Sequence, residues 1–493
     1  MGFNEMMKKL IQLTAFLLLC SAFFIHAGEW DKNITKGFEA IQPMEVYNFC
    51  KKIAAAEFAG RLTGHVGYTR AAQWAAEEFA AWRLKAINAT EGFLQPFPSP
   101  YTIIDKAEMS ISLPQKTGQT EQPEEIRLEP GTDFLPLLFS DSGDHIAAAV
   151  FAGWGICAPE LGYDDYVGID VAGKFVLCFR GVPDGDEPGF EQYDEHRQRM
   201  KTAKERGALG IFYIYPEPIA MPNGDWIEGF APAVISEKIA DRVLEEKKIK
   251  TADLKSDLQT YRKPLSFPLN STINYRVVSQ HFPHAIGYNV VGIITGSDAT
   301  LKNECVVIGG HFDHCGEHLS MLFGGANDNG SGSAVVLALA QAFSKLAKKP
   351  KRSLVFVLFG GEEMGLLGSK YFVNHVPPQF DKIDAMFNFD MVGEGDGASC
   401  GYSASSAEMK QTIEKADAQI HAVRNKWEIK QIGVRSSDFA PFFLQGATCA
   451  AFFSNGPHLH YHKTGDTIYR INPDVLADIA RLAFCCALDW ANR

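Results

Sequence analysis

The chain of 493 residues has no CxxC pair among its 10 cysteines, no low-complexity tract and no long block of one charge. Lacking a CxxC pair, it gives no indication of a thiolate zinc site or a thioredoxin-like redox motif. Lacking a basic tract, and with a net charge of −12, it is not expected to bind nucleic acid or an anionic membrane surface. Removing Cys20 with a leader leaves nine cysteines, so at least one thiol of a monomer stays unpaired. Cys157 and Cys178 flank two strand patterns and could pair, but buried small apolar thiols are the commoner use.

What is present is the composition of an ordinary globular protein, 46% hydrophobic and 22% charged. Its length allows two or three domains, each with a sizeable core. Lys8 and Lys9 precede an apolar run over residues 10–25, broken only by Gln12, Thr14 and Ser21, and Ala27 offers a small residue before Gly28. This pattern predicts a signal peptide over 1–27, export to a periplasm or the exterior, and no stable membrane span afterwards. A retained anchor or lipidation at Cys20 is the alternative, although Leu19 suits a lipoprotein peptidase poorly.

Three textures follow. Over 43–86, Val46, Phe49, Ile53, Ala72, Ala75 and Phe79 recur at helical spacing, and Gly60-Arg61-Leu62-Thr63-Gly64 interrupts them as a loop. Over 133–269, strand patterns at 147–153, 174–180 and 210–215 surround a short helix at 201–207, with almost no candidate metal ligands. From Tyr288 onward, continuous apolar runs at 289–294, 305–309, 353–359 and 385–390 alternate with helices at 333–346 and 473–491. Continuous runs suit strands covered on both faces, and the alternation predicts a mainly parallel α/β sheet. Ligands of such sheets gather at the carboxyl ends of the strands.

Acids and histidines stand at those ends. His311 and Asp313 close the run from Cys305, with His314 and His318 competing for the histidine's role. Asp328 sits in Gly324-Gly325-Ala326-Asn327-Asp328-Asn329-Gly330-Ser331-Gly332, a loop whose central acid and missing Walker lysine argue against phosphate. Glu362 and Glu363 follow a buried run and two glycines, where like charges repel unless cations share the site. Asp390 closes another apolar run, and a charge there needs a partner. His462 precedes the last helix, with His458 and His460 as competitors. Two histidines and three carboxylates can hold two divalent metals, with one Glu left as a base.

Taken together and in this order, GGHFDH, GANDNGSG, FGGEEMGLLGS, NFDMVG and HYHKTGDT resemble the co-catalytic zinc aminopeptidase family, which includes bacterial leucyl aminopeptidases and glutamate carboxypeptidase. The segment 133–269, by AGKFVLCFRG and KTAKERGALGIFYI, resembles a protease-associated domain inserted into the peptidase. The resemblance implies a three-layer α/β/α zinc peptidase domain with a mainly parallel mixed sheet, split over 28–132 and 270–493, plus the inserted mainly β domain. It further implies peptide substrates and two zinc ions. His311 and Asp390 would ligate one zinc, Glu363 and His462 the other, and Asp328 would bridge them through a residue joined to Asn329 by a non-proline cis peptide. Asp313 would orient His311, and Glu362 would be the general base. Glu394 is a candidate anchor for a substrate amine. Arg435 keeps open a carboxypeptidase that recognises a substrate carboxylate. A receptor-like binding protein would lack the ligands, and a glutaminyl cyclase would not need the intact Gly-Glu-Glu.

Overall fold

Seven strands form the sheet that carries most of the singled-out residues: β1 Leu94–Pro98, β2 Ile286–Ile294, β3 Glu304–His311, β4 Ser353–Phe359, β5 Lys382–Phe389, β6 Cys400–Ala404 and β7 Thr448–Ser454. The computed structural model describes residues 32–493 except 88–89, 91, 115–123, 184–188, 396–399 and 423–436. The predicted signal peptide and Arg435 lie outside the described residues. Spatial order is β1-β2-β4-β3-β5-β7-β6. The four central strands run parallel, and antiparallel strands flank them on both sides.

Both faces of this sheet are covered, which is why its central strands read as unbroken apolar runs. Val306 and Ile308 of β3 pack into a core shared with the helices Pro43–Ile53, Val66–Ala81, Gly332–Ser344 and Pro473–Ala491. Cys305 and Val307 face the opposite core, against Phe372, Phe439 and Phe442. Each large apolar side chain so enclosed contributes roughly 1.5–3 kcal/mol. The last helix starts where predicted: Pro473 occupies its first turn, and the Asn472 side chain accepts the N–H groups of Asp474 and Val475. The three-layer α/β/α arrangement with a mixed sheet is therefore present.

From β3 the chain passes through the helix Gly332–Ser344 to β4 on one side, and β5 then lies on the other side of β3. The carboxyl end of β3 is thus a topological switch point, where such sheets leave a crevice. His311 ends β3, Asp390 follows β5, and Glu362 lies shortly beyond β4.

A second sheet of eight strands takes Tyr101–Ser112, Glu125–Leu128 and Ser266–Phe282 together with strands between Phe134 and Ser236. Its strands reach beyond 133–269 on both sides, because Ser266–Phe282 pairs with Tyr101–Ser112 along one edge and Gly143–Ala152 along the other. Helices His196–Glu205, Glu237–Leu244 and Thr251–Tyr261 accompany it. The nine described cysteines are all free: Cys178 is buried, and Cys157 Sγ instead accepts from Arg206 Nη2 at 3.2 Å. Among the described residues no helix is long and apolar enough to cross a membrane.

Asp165 organises one end of this second unit. Fully buried, it accepts the N–H groups of Trp154 (3.0 Å) and Ile156 (3.1 Å) and the Tyr163 hydroxyl (3.0 Å). Burial nevertheless outweighs these donors and lifts its pKa from 3.8 to about 7. A carboxyl raised in the folded state contributes stability that is present below pH 3.8 and lost as pH rises through about 7. Calorimetry across that window should show this unit's unfolding midpoint declining, and Asp165→Asn, neutral throughout, should lessen the slope.

Candidate metal centre

The end of β3 delivers His311 into the crevice with 1% exposure. Its Nδ1–H reaches the Asp313 carbonyl at 3.3 Å, whereas the Asp313 carboxylate stands 3.7 Å away. That carboxylate takes the backbone N–H groups of Glu362 (3.2 Å) and Glu363 (3.3 Å) instead. Asp313 therefore fastens the Glu pair to the His311 loop, and orients the histidine chiefly through its main chain. His311 Nε2 lies 3.3 Å from both Asp328 Oδ1 and Asp390 Oδ1, and 4.0 Å from Glu362 Oε2. Ser437 holds the other Asp390 oxygen at 2.6 Å.

Asp328 is placed by its neighbours on both sides. Its peptide bond to Asn329 is cis, as the resemblance implied. Asn329 donates to the Phe389 carbonyl (2.8 Å) and accepts from Met391 N (3.1 Å), stapling the loop to the end of β5. Asn327 accepts the N–H groups of Gly393 (3.0 Å) and Glu394 (2.8 Å). The buried Asp466 carboxylate receives the N–H groups of Asn327 (2.8 Å) and Asp328 (2.9 Å). Gly325, at φ +55°, has His314 so close that a Cβ would lie 2.5 Å from its ring. Only glycine meets both demands.

Asp328 Oδ2 turns to a second set of donors. His462 Nε2 lies 3.2 Å from it and 2.9 Å from Glu363 Oε2. His314, fully buried, gives its Nδ1–H to Glu363 Oε1 at 2.8 Å. Of the competing histidines, His318 is spent on Ile104 N and the Cys315 carbonyl, and His458 on the Asn327 side chain. Thus His311, His314 and His462 enter the centre. Cys315 lies close enough to count among the donors, and burial pushes its thiol pKa well up.

The electrostatics of the cluster call for cations. Burial raises Glu362 well above the usual carboxylate range, with the Glu363 and Asp390 charges adding to it. Despite burial, His462 and His314 hold Glu363 down to about 2, and His311 and His462 hold Asp328 well below its ordinary value. The surrounding carboxylates raise both His311 and His462 against the opposing effect of burial. Asp328 Oδ2, His314 Nε2 and His462 Nε2 are buried without a hydrogen bond of proper geometry, although Asp328 and His462 lie side by side. Lone pairs that converge on common points, rather than on one another, fit metal ions. Grouping by proximity gives His311–Asp328–Glu363 and His314–Cys315–Glu363–His462. The shorter contacts favour a different partition, in which Asp390 joins His311 and Asp328 serves both sides.

Residues 289–486 match Peptidase family M28. Leupeptin-inactivating enzyme 1 of Streptomyces exfoliatus is 36% identical over 213 residues, covering 39% of this chain and 46% of that protein. An aminopeptidase of Pseudomonas aeruginosa is 32% identical over 236 residues, covering 42% of this chain and 41% of its own length. The chain therefore spans less than half the length of these two relatives. The fold extends further: a zinc aminopeptidase from Bacillus subtilis superposes with a TM-score of 0.62 over 91% of this chain and 95% of its own, at 20% identity.

Several residues of the candidate centre escape a reading of local sequence. Asn327, Asn329 and Asp466 act on the backbone around Asp328, and their signal was their place in the same motifs as the acids. Asp438 is buried beside this cluster with both carboxylate oxygens unbonded, its pKa lifted to about 7 by burial. Arg61, 1% exposed, donates to the carbonyls of Phe312 (2.7 Å), Ile53, Gly324 and Gly325 (2.8 Å each). Its only sequence signal was the Gly-rich break between two helical patterns. Each buried acceptor left bare costs roughly 1–3 kcal/mol. Arg61→Met should thus destabilise the unit built on the seven-stranded sheet by at least about 3 kcal/mol, read as a lowered calorimetric midpoint, with Arg61→Lys falling between.

Proposed function

We propose that the chain is an exported aminopeptidase that uses two zinc ions to release N-terminal residues from peptides. The observation that carries this reading is Asp328, whose two oxygens lie 3.3 Å from His311 Nε2 and 3.2 Å from His462 Nε2. One carboxylate divided between two imidazoles suits a residue shared by a pair of cations. His311 and Asp390 would hold one zinc, Glu363 and His462 the other, and Asp328 both. Imidazole nitrogen and carboxylate oxygen are ordinary zinc donors. Bound there, zinc would polarise the scissile carbonyl and lower the pKa of water.

Glu362 is the base. Its carboxylate faces the centre, with Oε2 4.0 Å from His311 Nε2. It takes a proton from the attacking water and returns it to the leaving nitrogen, as a C–O bond replaces the C–N bond. Asp313 keeps Glu362 and Glu363 in register through their backbone N–H groups, and His314 occupies one Glu363 oxygen so that the other faces the centre. Glu394 is the proposed anchor of the substrate's free amine, its backbone held by Asn327 and by Ser454. The P. aeruginosa relative, named an aminopeptidase, supports this direction of attack. The leader pattern over 1–27 supports export, and the second sheet is read as the protease-associated insertion.

Zinc analysis combined with hydrolysis of free and N-acetylated peptides tests the reading. The expected result is about two zinc ions per chain and cleavage of free N-termini only. Cleavage of acetylated peptides from their carboxyl ends would replace it with a carboxypeptidase. Glu362→Gln should keep its zinc and lose about 10²–10⁴-fold in kcat; a zinc-loaded variant of full activity would remove Glu362 from the role of base.

A further inference from the structure

His462 is not oriented by its own domain. Its Nδ1–H donates to the Ala220 carbonyl at 2.7 Å, and its own carbonyl accepts the Ala220 N–H at 3.0 Å. Ala220 is 1% exposed and belongs to the connection between the second sheet's strands Gly210–Tyr215 and Ala233–Ser236. The next residue, Lys463, pairs with Glu217 of the same connection. His462 itself sits at φ +54°, a left-handed conformation that a non-glycine residue holds only when its surroundings enforce it.

A second tie joins the same connection to the Glu pair. Arg197 donates to Asn223 Oδ1 at 2.5 Å and Asp225 Oδ1 at 2.7 Å, and reaches the Met364 carbonyl at 2.9 Å. Met364 directly follows Glu363. The segment 216–226 therefore holds His462 directly, and through Arg197 it fixes the main chain that follows Glu363. His311 differs, since its Nδ1–H is satisfied within its own loop by Asp313. An imidazole with Nδ1–H committed to a carbonyl presents Nε2 as a lone pair, which is the state a metal requires.

We infer that segment 216–226 is the positioning element of the subsite formed by Glu363 and His462, so that this subsite is complete only with the second unit docked. The inference rests on the proposed assignment of Glu363 and His462 to one zinc. Loss of the second unit's grip loosens one zinc and leaves the one at His311 and Asp390.

The test uses the full chain loaded with zinc, reading zinc per chain and its release into a chromogenic chelator. Ala220→Pro deletes the N–H that the His462 main-chain carbonyl accepts and so frees the loop that carries the imidazole, and Ala220→Ser keeps it as the conservative control. Ala220→Pro should release one of two zinc ions about 10–100-fold faster, while Ala220→Ser matches the unaltered protein. Should Ala220→Pro fail to fold by circular dichroism, Arg197→Ala carries the test, with faster release of the same single ion expected. Folded variants that keep both ions at the unaltered rate would overturn the inference alone. An unaltered protein that takes up no zinc would overturn the reading of the centre, and this inference with it.

Discussion

The Arg61 guanidinium is buried, forms no ion pair among the described residues, and gives its N–H groups to four main-chain carbonyls. Two of these carbonyls, Gly324 and Gly325, lead into the Asp328 loop, and a third, Phe312, follows His311. One planar cation thus sets the distance between the loops that bring the donors together. Desolvation lowers its pKa, but a guanidinium stays charged in proteins, so the constraint does not relax with pH. Everything in the centre that depends on the spacing of His311 and Asp328 depends on this residue first.

Within that frame, the centre is an accumulation of acids that the protein alone does not neutralise. Asp313, Asp328, Glu362, Glu363, Asp390, Asp438 and Asp466 gather around three histidines. Backbone N–H groups satisfy Asp313 and Asp466, and a serine satisfies one oxygen of Asp390. Oxygens of Asp328, Asp390 and Glu363 face imidazole nitrogens at 2.9–3.3 Å. Such a cluster is costly in a low dielectric unless cations enter it. The fold bears that cost at the switch point of the sheet, where loops from three strands meet and main-chain donors are plentiful.

Two of the three histidines of the centre, His311 and His462, differ in what holds them. His311 lies at the end of a central strand and finds its partner two residues away. His462 lies in a loop before the last helix and finds its partner 242 residues earlier, in the other sheet. Rigidity at one side of the centre is therefore a property of the seven-stranded sheet, and at the other side a property of the contact between two units.

Much of the catalytic half was legible because each feature has a local physical cause. Strands buried on both faces must be apolar throughout, so 305–309 and 353–359 stand out, and a charge at the end of such a run announces a partner. His311, Asp328, Glu363, Asp390 and His462 converge in space from positions read that way. The extent of the second unit was less legible, because alternation in 107–113 predicts a strand but not the sheet it joins. Nor could spacing separate His314 from His311, or show that Asn327 and Asn329 are staples, since those roles depend on backbone groups far along the chain. The sequence by itself determined which segments are strands and which side chains end them, as these follow from burial and local chemistry. Tertiary structure alone decided which nitrogen of each histidine is free and whose carbonyl holds the other, because those bonds join residues brought close only by folding.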